Sequence, residues 1–169
     1  HSKGKWLGQP VRLELFQKAM LQAIYGFVDK ENGLRRYREV FVLVGRKNGK
    51  STLMSALGLY MMVGDGEGGA EVQCVATKRD QARIVFTEAV NMVSQSPALS
   101  KYLRKRKTDL YFPVTFSKFE PLASESHSLD GLNSHHVIMD ELHAIKDRNL
   151  YDVMKQSMSA REQPILSMI

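Results

Sequence analysis

Apolar residues recur along this chain in two rhythms, one helical and one strand-like, and their alternation sets the expected architecture. Leu13, Phe16, Met20, Ala23 and Phe27 fall at helical spacing behind Pro10, so Val11 to Phe27 is predicted to be an amphipathic helix. The run Val40-Phe-Val-Leu-Val44 is short and β-branched, the pattern of a strand buried on both faces. A polar turn, Gly45 to Gly49, follows it. The next helix starts near Lys50 and carries Leu53, Ala56, Leu57, Tyr60 and Met61 on its apolar side. The loop Asp65 to Gly69 then leads to a second buried strand, Val72 to Ala76.

Thr77 precedes a third helix with Ala82, Val85, Phe86, Ala89 and Val93 on one face, and Ser96-Pro-Ala98 leaves it. Leu110 to Phe116 is expected to hold another strand, interrupted by Pro113. His136-Val-Ile-Met139 is a further apolar strand and ends in Asp140-Glu141. Leu150, Val153, Met154 and Met158 mark a last helix before the strand-like run Pro164 to Ile169. Strands alternating with helices predict an α/β layered domain with a largely parallel sheet. In such sheets ligands sit at the carboxyl ends of the strands.

Composition narrows this further. With 43% hydrophobic residues, 169 residues can bury one ordinary core, which argues against disorder. The longest mostly apolar run, Leu53 to Val63, falls short of the roughly 20 residues that cross a bilayer, and no secretory signal pattern opens the chain. The single Cys74 excludes an internal disulfide and any multi-cysteine metal site, and it suits a reducing interior. Lys and Arg number 24 against 18 Asp and Glu, a net charge of +6 that suits phosphate or nucleic-acid partners. The chain starts at His1 and stops inside an apolar run, so we expect a piece of a longer protein.

The strongest chemical signal is Val44-Gly-Arg-Lys-Asn-Gly-Lys-Ser51. A buried strand enters a tight turn and then a helix whose first N–H groups and dipole favour an anion. Gly49 lets the backbone approach a phosphate that a Cβ would crowd. Lys50 reaches the β- and γ-phosphates as a point charge, and the Ser51 hydroxyl suits Mg²⁺. The usual pattern has a first glycine at the place of Val44; here Gly45 stands one position later.

Asp140 and Glu141 close an apolar strand and provide the two acids that phosphoryl transfer to water needs. Asp140 holds Mg²⁺ from the strand tip, and Glu141 polarises the attacking water. Acidic pairs also simply cap the next element, so the assignment leans on the upstream phosphate loop. His135, His136 and His143 lie nearby, but adjacent strand residues point to opposite faces, and packing or surface roles suit them better than metal binding.

These motifs and their surroundings resemble the ATPase domain of tailed-phage large terminase subunits. The similar stretches are Trp6-Leu-Gly-Gln-Pro10 with Phe16-Gln17, Arg46-Lys-Asn-Gly-Lys-Ser51, Ala76-Thr-Lys-Arg-Asp-Gln-Ala-Arg83, Leu129-Asp-Gly-Leu-Asn133, and His136 through Ala144. The resemblance implies a P-loop NTPase fold of the RecA-like type over residues 1–169, forming a partial N-terminal ATPase domain. It implies ATP and Mg²⁺ as cofactors and hydrolysis that powers packaging of double-stranded DNA. It assigns Gln17, Lys47, Asn48, Gly49, Lys50, Ser51 and Thr52 to the nucleotide, Ser51 and Asp140 to Mg²⁺, and Glu141 with Lys50 and Arg46 to catalysis. A threonine-rich coupling motif and a nuclease domain would lie beyond Ile169. Implied partners are non-specific DNA, the portal protein and the small terminase subunit, with a homo-oligomeric ring on the procapsid in the bacterial host cytoplasm.

Several residues keep two readings. Arg46 either braces the γ-phosphate in cis or is an exposed loop arginine. Arg79 and Arg83 follow the second strand, facing either the nucleotide or a neighbouring subunit. Arg104, Lys105 and Arg106, in the basic run Lys101 to Lys107, either touch DNA phosphates or are solvated. Asp140-Glu-Leu-His143 also fits a DExH helicase box, and a nucleotide-binding module without turnover is the non-enzymatic alternative.

Overall fold

The computed structural model describes residues 6–123, 129, 131–145 and 148–169; Asp130 of the fourth terminase-like stretch lies outside them. A seven-stranded sheet runs in the order β1-β7-β6-β2-β5-β4-β3. Its members are β1 (Glu39–Phe41), β2 (Glu71–Ala76), β3 (Arg104–Lys105), β4 (Leu110–Phe112), β5 (Ser117–Ala123), β6 (Ser134–Met139) and β7 (Ile165–Met168). The first five in that order are parallel, and β4 and β3 close the far edge antiparallel. The expected α/β sheet is present.

Helices α1 (Leu15–Gly26), α2 (Lys50–Val63) and α3 (Arg79–Gln95) pack on one face, where Ile24, Met54, Met61 and Val85 meet Val72, Cys74, Phe119 and Ile138. On the other face α5 (Arg148–Ser157) brings Leu150 and Met154 onto Val75, Val137, Met139 and Leu166. A short α4 (Pro97–Tyr102) follows α3. Alternate residues of β2 and β6 therefore feed two cores, which is why both strands read as continuous apolar runs. At Gly58, α2 comes so close to the sheet that a Cβ would lie 2.6 Å from Phe119 Cε1. Among the described residues no helix is long and apolar enough to cross a membrane.

Four expectations need correction. The first helix begins at Leu15 rather than Val11, because Glu14 and Gln17 form a reciprocal capping box there. The strand before the phosphate loop is not buried on both faces. Among the described residues it spans Glu39–Phe41 and pairs with β7, with Phe41 60% and Leu43 87% exposed. Pro113 ends β4 instead of interrupting a longer strand, and the chain turns back into β5 beside β2. Pro121 is tolerated in β5 because β4 pairs only with Ser117 to Phe119, so its missing N–H breaks no bond on that side. Ser96-Pro-Ala98 does not simply leave α3; Ser96 accepts from the Leu99 N–H and starts α4 with Pro97 in its first turn.

The amino ends of the strands carry a largely buried network of charges. The two terminal guanidinium nitrogens of Arg35 donate to the Asp65 carboxylate, and Nη2 also reaches the Gln163 carbonyl. His135 Nε2 lies 2.7 Å from Asp65 Oδ2. Arg161 spans the Glu67 carboxylate and the carbonyls of Gly68, Gly69 and Asn133.

Candidate active site

The carboxyl ends of β1 and β6 open onto a cavity of about 510 Å³. Arg46, Lys47, Gly49, Lys50, Ser51 and Thr52 line one side, and Asp140, Glu141 and His143 the other. Two sequence-distant motifs thus share one crevice, at the strand ends where α/β sheets bind ligands. Phe41, Leu43, Ile84 and Ile169 supply apolar wall. The exposure of Phe41 and Leu43 was invisible in a pattern that read as a buried strand.

Backbone geometry explains the phosphate side. Lys47 (φ 65°) and Gly49 (φ 72°) both take the left-handed conformation, curling the loop ahead of α2. Asn48 ties that curl, its side-chain amide donating to the carbonyls of Gly45 at 3.1 Å and Arg46 at 3.3 Å. Gly49 caps α2 without any side-chain bond, so the first-turn N–H groups stay open toward the cavity end. Gln17 does not line the cavity. Its carbonyl accepts from the Glu14 N–H, and its amide nitrogen lies 3.6 Å from where a Cβ on Gly49 would stand, so it borders the loop from behind.

On the acidic side, Asp140 closes β6 and accepts from the Glu141 N–H at 2.9 Å. Burial raises the Asp140 carboxyl above its ordinary value; the Glu141 N–H opposes this, the Glu141 charge adds to it, and Lys50 and His143 pull it back down. Glu141 itself is left-handed at φ 54°, an uncommon backbone for a residue with a side chain, and starts the 3-10 turn Leu142–Ala144. Its carboxylate accepts a hydrogen bond from the Gln81 side-chain amide in the first turn of α3. The sequence reading missed Gln81, although it lies within the stretch Ala76 to Arg83, four residues after Thr77.

Other candidates fall elsewhere. Arg83 borders an adjoining crevice of about 350 Å³ with Ser51, Thr52, Asp80 and Glu88, whereas Arg79 lines neither space. Arg104 and Lys105 form β3, at the edge of the sheet opposite β1. Arg106 bonds Asp109 and lies over the Tyr111 ring, 4.1 Å from its centroid. His135 and His136 are both 0% exposed, bonded to Asp65 and Ser167 respectively. Among the described residues no three His, Cys, Asp or Glu side chains cluster as a metal site.

The comparisons agree with this geometry. The profile of the terminase large subunit, ATPase domain, matches residues 15–169. The large terminase subunit of Enterobacteria phage HK97 is 30% identical over 99% of this chain, which spans 33% of that protein. The crystal structure of the HK97 large terminase superposes with TM-score 0.82 at 28% identity, over 95% of this chain and 33% of that one. An ATPase-domain variant from Thermus phage P74-26 gives TM-score 0.70 at 20% identity, over 93% and 64%. The large terminase of another thermophilic bacteriophage, solved with ADP, gives 0.59 at 14% over 78% and 33%; these last two speak for the fold alone. With its motifs, its cavity and its profile in agreement, this chain belongs to the family of phage terminase large subunit ATPase domains.

Proposed function

We propose that the domain hydrolyses ATP to ADP and phosphate with Mg²⁺ and that this reaction drives double-stranded DNA into a procapsid. The observation that carries the proposal is the single cavity shared by Lys50 and Ser51 at the start of α2 and by Asp140 and Glu141 at the end of β6. Phosphoryl transfer asks little covalent chemistry of a protein; positioning and electrostatics dominate.

Each residue then has a defined task. The open N–H groups of α2 and the Lys50 ammonium hold the β- and γ-phosphates. Arg46, Lys47 and Thr52 line the same wall, and Arg46 offers a guanidinium in cis to the γ-phosphate. Ser51 and Asp140 present a hydroxyl and a carboxylate, the hard oxygen donors that Mg²⁺ takes together with substrate phosphates. The fit is supported by Asp140 itself, a half-buried carboxylate beside a second one, whose desolvated charge a divalent cation would offset. Mg²⁺, when bound, neutralises charge on the phosphate oxygens. Glu141 accepts the proton of the attacking water and orients it in line with the γ-phosphate. Gln17 and Asn48 act through the loop, Gln17 from beside Gly49 and Asn48 through its bonds to Gly45 and Arg46.

The chain spans about a third of its HK97 relative. Cleavage of DNA and coupling of hydrolysis to movement are therefore proposed for other segments of the protein. Engagement of the portal and small subunit, ring assembly and work in the host cytoplasm are proposed for the whole protein, this domain included. The net charge of +6 suits a grip on DNA of any sequence. The test is Glu141→Gln. We expect ATP to bind with unchanged affinity while hydrolysis falls at least about 100-fold; turnover equal to wild type would remove Glu141 as the base.

A further inference from the structure

We infer that Gln81 is a positioning residue for hydrolysis, its side-chain amide fixing the Glu141 carboxylate so that one oxygen stays turned to the cavity. The inference rests on the proposed role of Glu141 and adds to it the group that aims it. Glu141 needs such a group. It sits on a left-handed residue between the end of β6 and a single 3-10 turn, so neither helix nor strand packing holds its three side-chain torsions. Among the described residues, Gln81 makes the only side-chain hydrogen bond to that carboxylate, donating from Nε2 to Oε2.

The donor is itself anchored twice. Gln81 lies in the first turn of the 17-residue α3, next to the buried Ala82. Its carbonyl oxygen lies 3.2 Å from the Thr77 hydroxyl, which donates to it. That bond decides which way the amide faces, turning the NH₂ group toward Glu141 and the oxygen away from it. The Thr77–Gln81–Glu141 chain thus connects the carboxyl ends of β2 and β6. A neutral amide suits the task because it fixes the carboxylate without neutralising it, as a lysine or arginine would. Misplacement of a reacting group by about 1 Å costs on the order of 100-fold in rate, so a donor of this kind belongs to the catalytic geometry without touching substrate.

The test uses the full-length protein and Gln81→Met, which keeps side-chain length and removes the donor. The expected result is a fall in kcat of about 10- to 100-fold, with ATP affinity by calorimetry and Tm unchanged. Thr77→Val should lower kcat less, and Thr77→Ser should restore it. An independent readout is the Gln81 side-chain amide resonance, which should move in Glu141→Ala without nucleotide. If Glu141→Gln abolishes hydrolysis while Gln81→Met turns over within twofold of wild type, the positioning role fails and the base assignment stands. If Glu141→Gln hydrolyses normally, the base assignment itself fails. Parallel losses of affinity and Tm in Gln81→Met would make Gln81 a structural residue and overturn the inference.

Discussion

The two ends of the parallel strands hold similar charged groups under opposite conditions. At the amino ends, the Arg35 and Asp65 side chains are 5% and 3% exposed, and each finds its partner inside the protein. Burial pushes the Asp65 carboxyl up, yet hydrogen bonds from His135 and Arg35 outweigh it and leave the group below its ordinary value. At the carboxyl ends Lys50, Asp140 and Glu141 face a shared cavity, and burial leaves the Asp140 carboxyl above its ordinary value. One rim has spent most of its hydrogen-bonding capacity on holding loops together, with Arg35 Nε and His135 Nδ1 left without a hydrogen-bond partner. The other keeps that capacity for a ligand, which is how perturbed groups at a cleft differ from structural ion pairs.

Mutations should separate the two rims. Lys50→Ala should abolish hydrolysis, by about 1,000-fold or more, and weaken ATP binding, while the urea midpoint stays that of wild type. A large loss of stability would show that Lys50 belongs to the scaffold instead. Arg35→Met should do the reverse. It takes the guanidinium from a buried Asp65 and leaves only the His135 bond, costing about 3 kcal/mol of folding stability in urea titration, with ATP affinity of the folded protein unchanged.

The smallest effect sharpens the contrast through pH. Burial, and then the neighbouring His135 and Arg35, push His136 down to about 3, against the weaker pull of Asp65, while Ser167 bonds its Nε2. Unfolding frees the imidazole to protonate near pH 6.5, so the unfolded state binds more protons between those values. The stability that neutral His136 secures is complete above about pH 6.5 and is lost as pH falls toward 3. Asp65, also depressed, adds a loss at the acid end of the same range, as pH falls through its folded value. Tm should drop between pH 7 and 5, and less steeply in His136→Gln; equal slopes would exclude His136 as the source.

Much of this was legible in the chain because local rules sufficed. Lys50 starts α2 as expected, since a left-handed Gly49 and an apolar face from Leu53 onward are both local signals. β2 and β6 were plain because burial on both faces leaves continuous apolar runs. Phe41 and Leu43 misled for the same reason: an apolar run cannot report whether a neighbour lies on each side. β5 was hidden by Pro121, whose tolerance depends on where β4 stops pairing. The meeting of Lys50 with Asp140 was inferable from motif chemistry, whereas the Gln81–Glu141 bond depends on how α3 leans over the end of β6, which no spacing encodes.

The placing of β6 also has a mechanical side. The acidic tip grows from a strand paired along both edges, with β2 on one side and β7 on the other, and the Asp140 N–H continues the ladder to the Val75 carbonyl. Displacing the carboxylates would mean breaking bonds to two neighbours at once, so the acidic wall is the fixed jaw of the site.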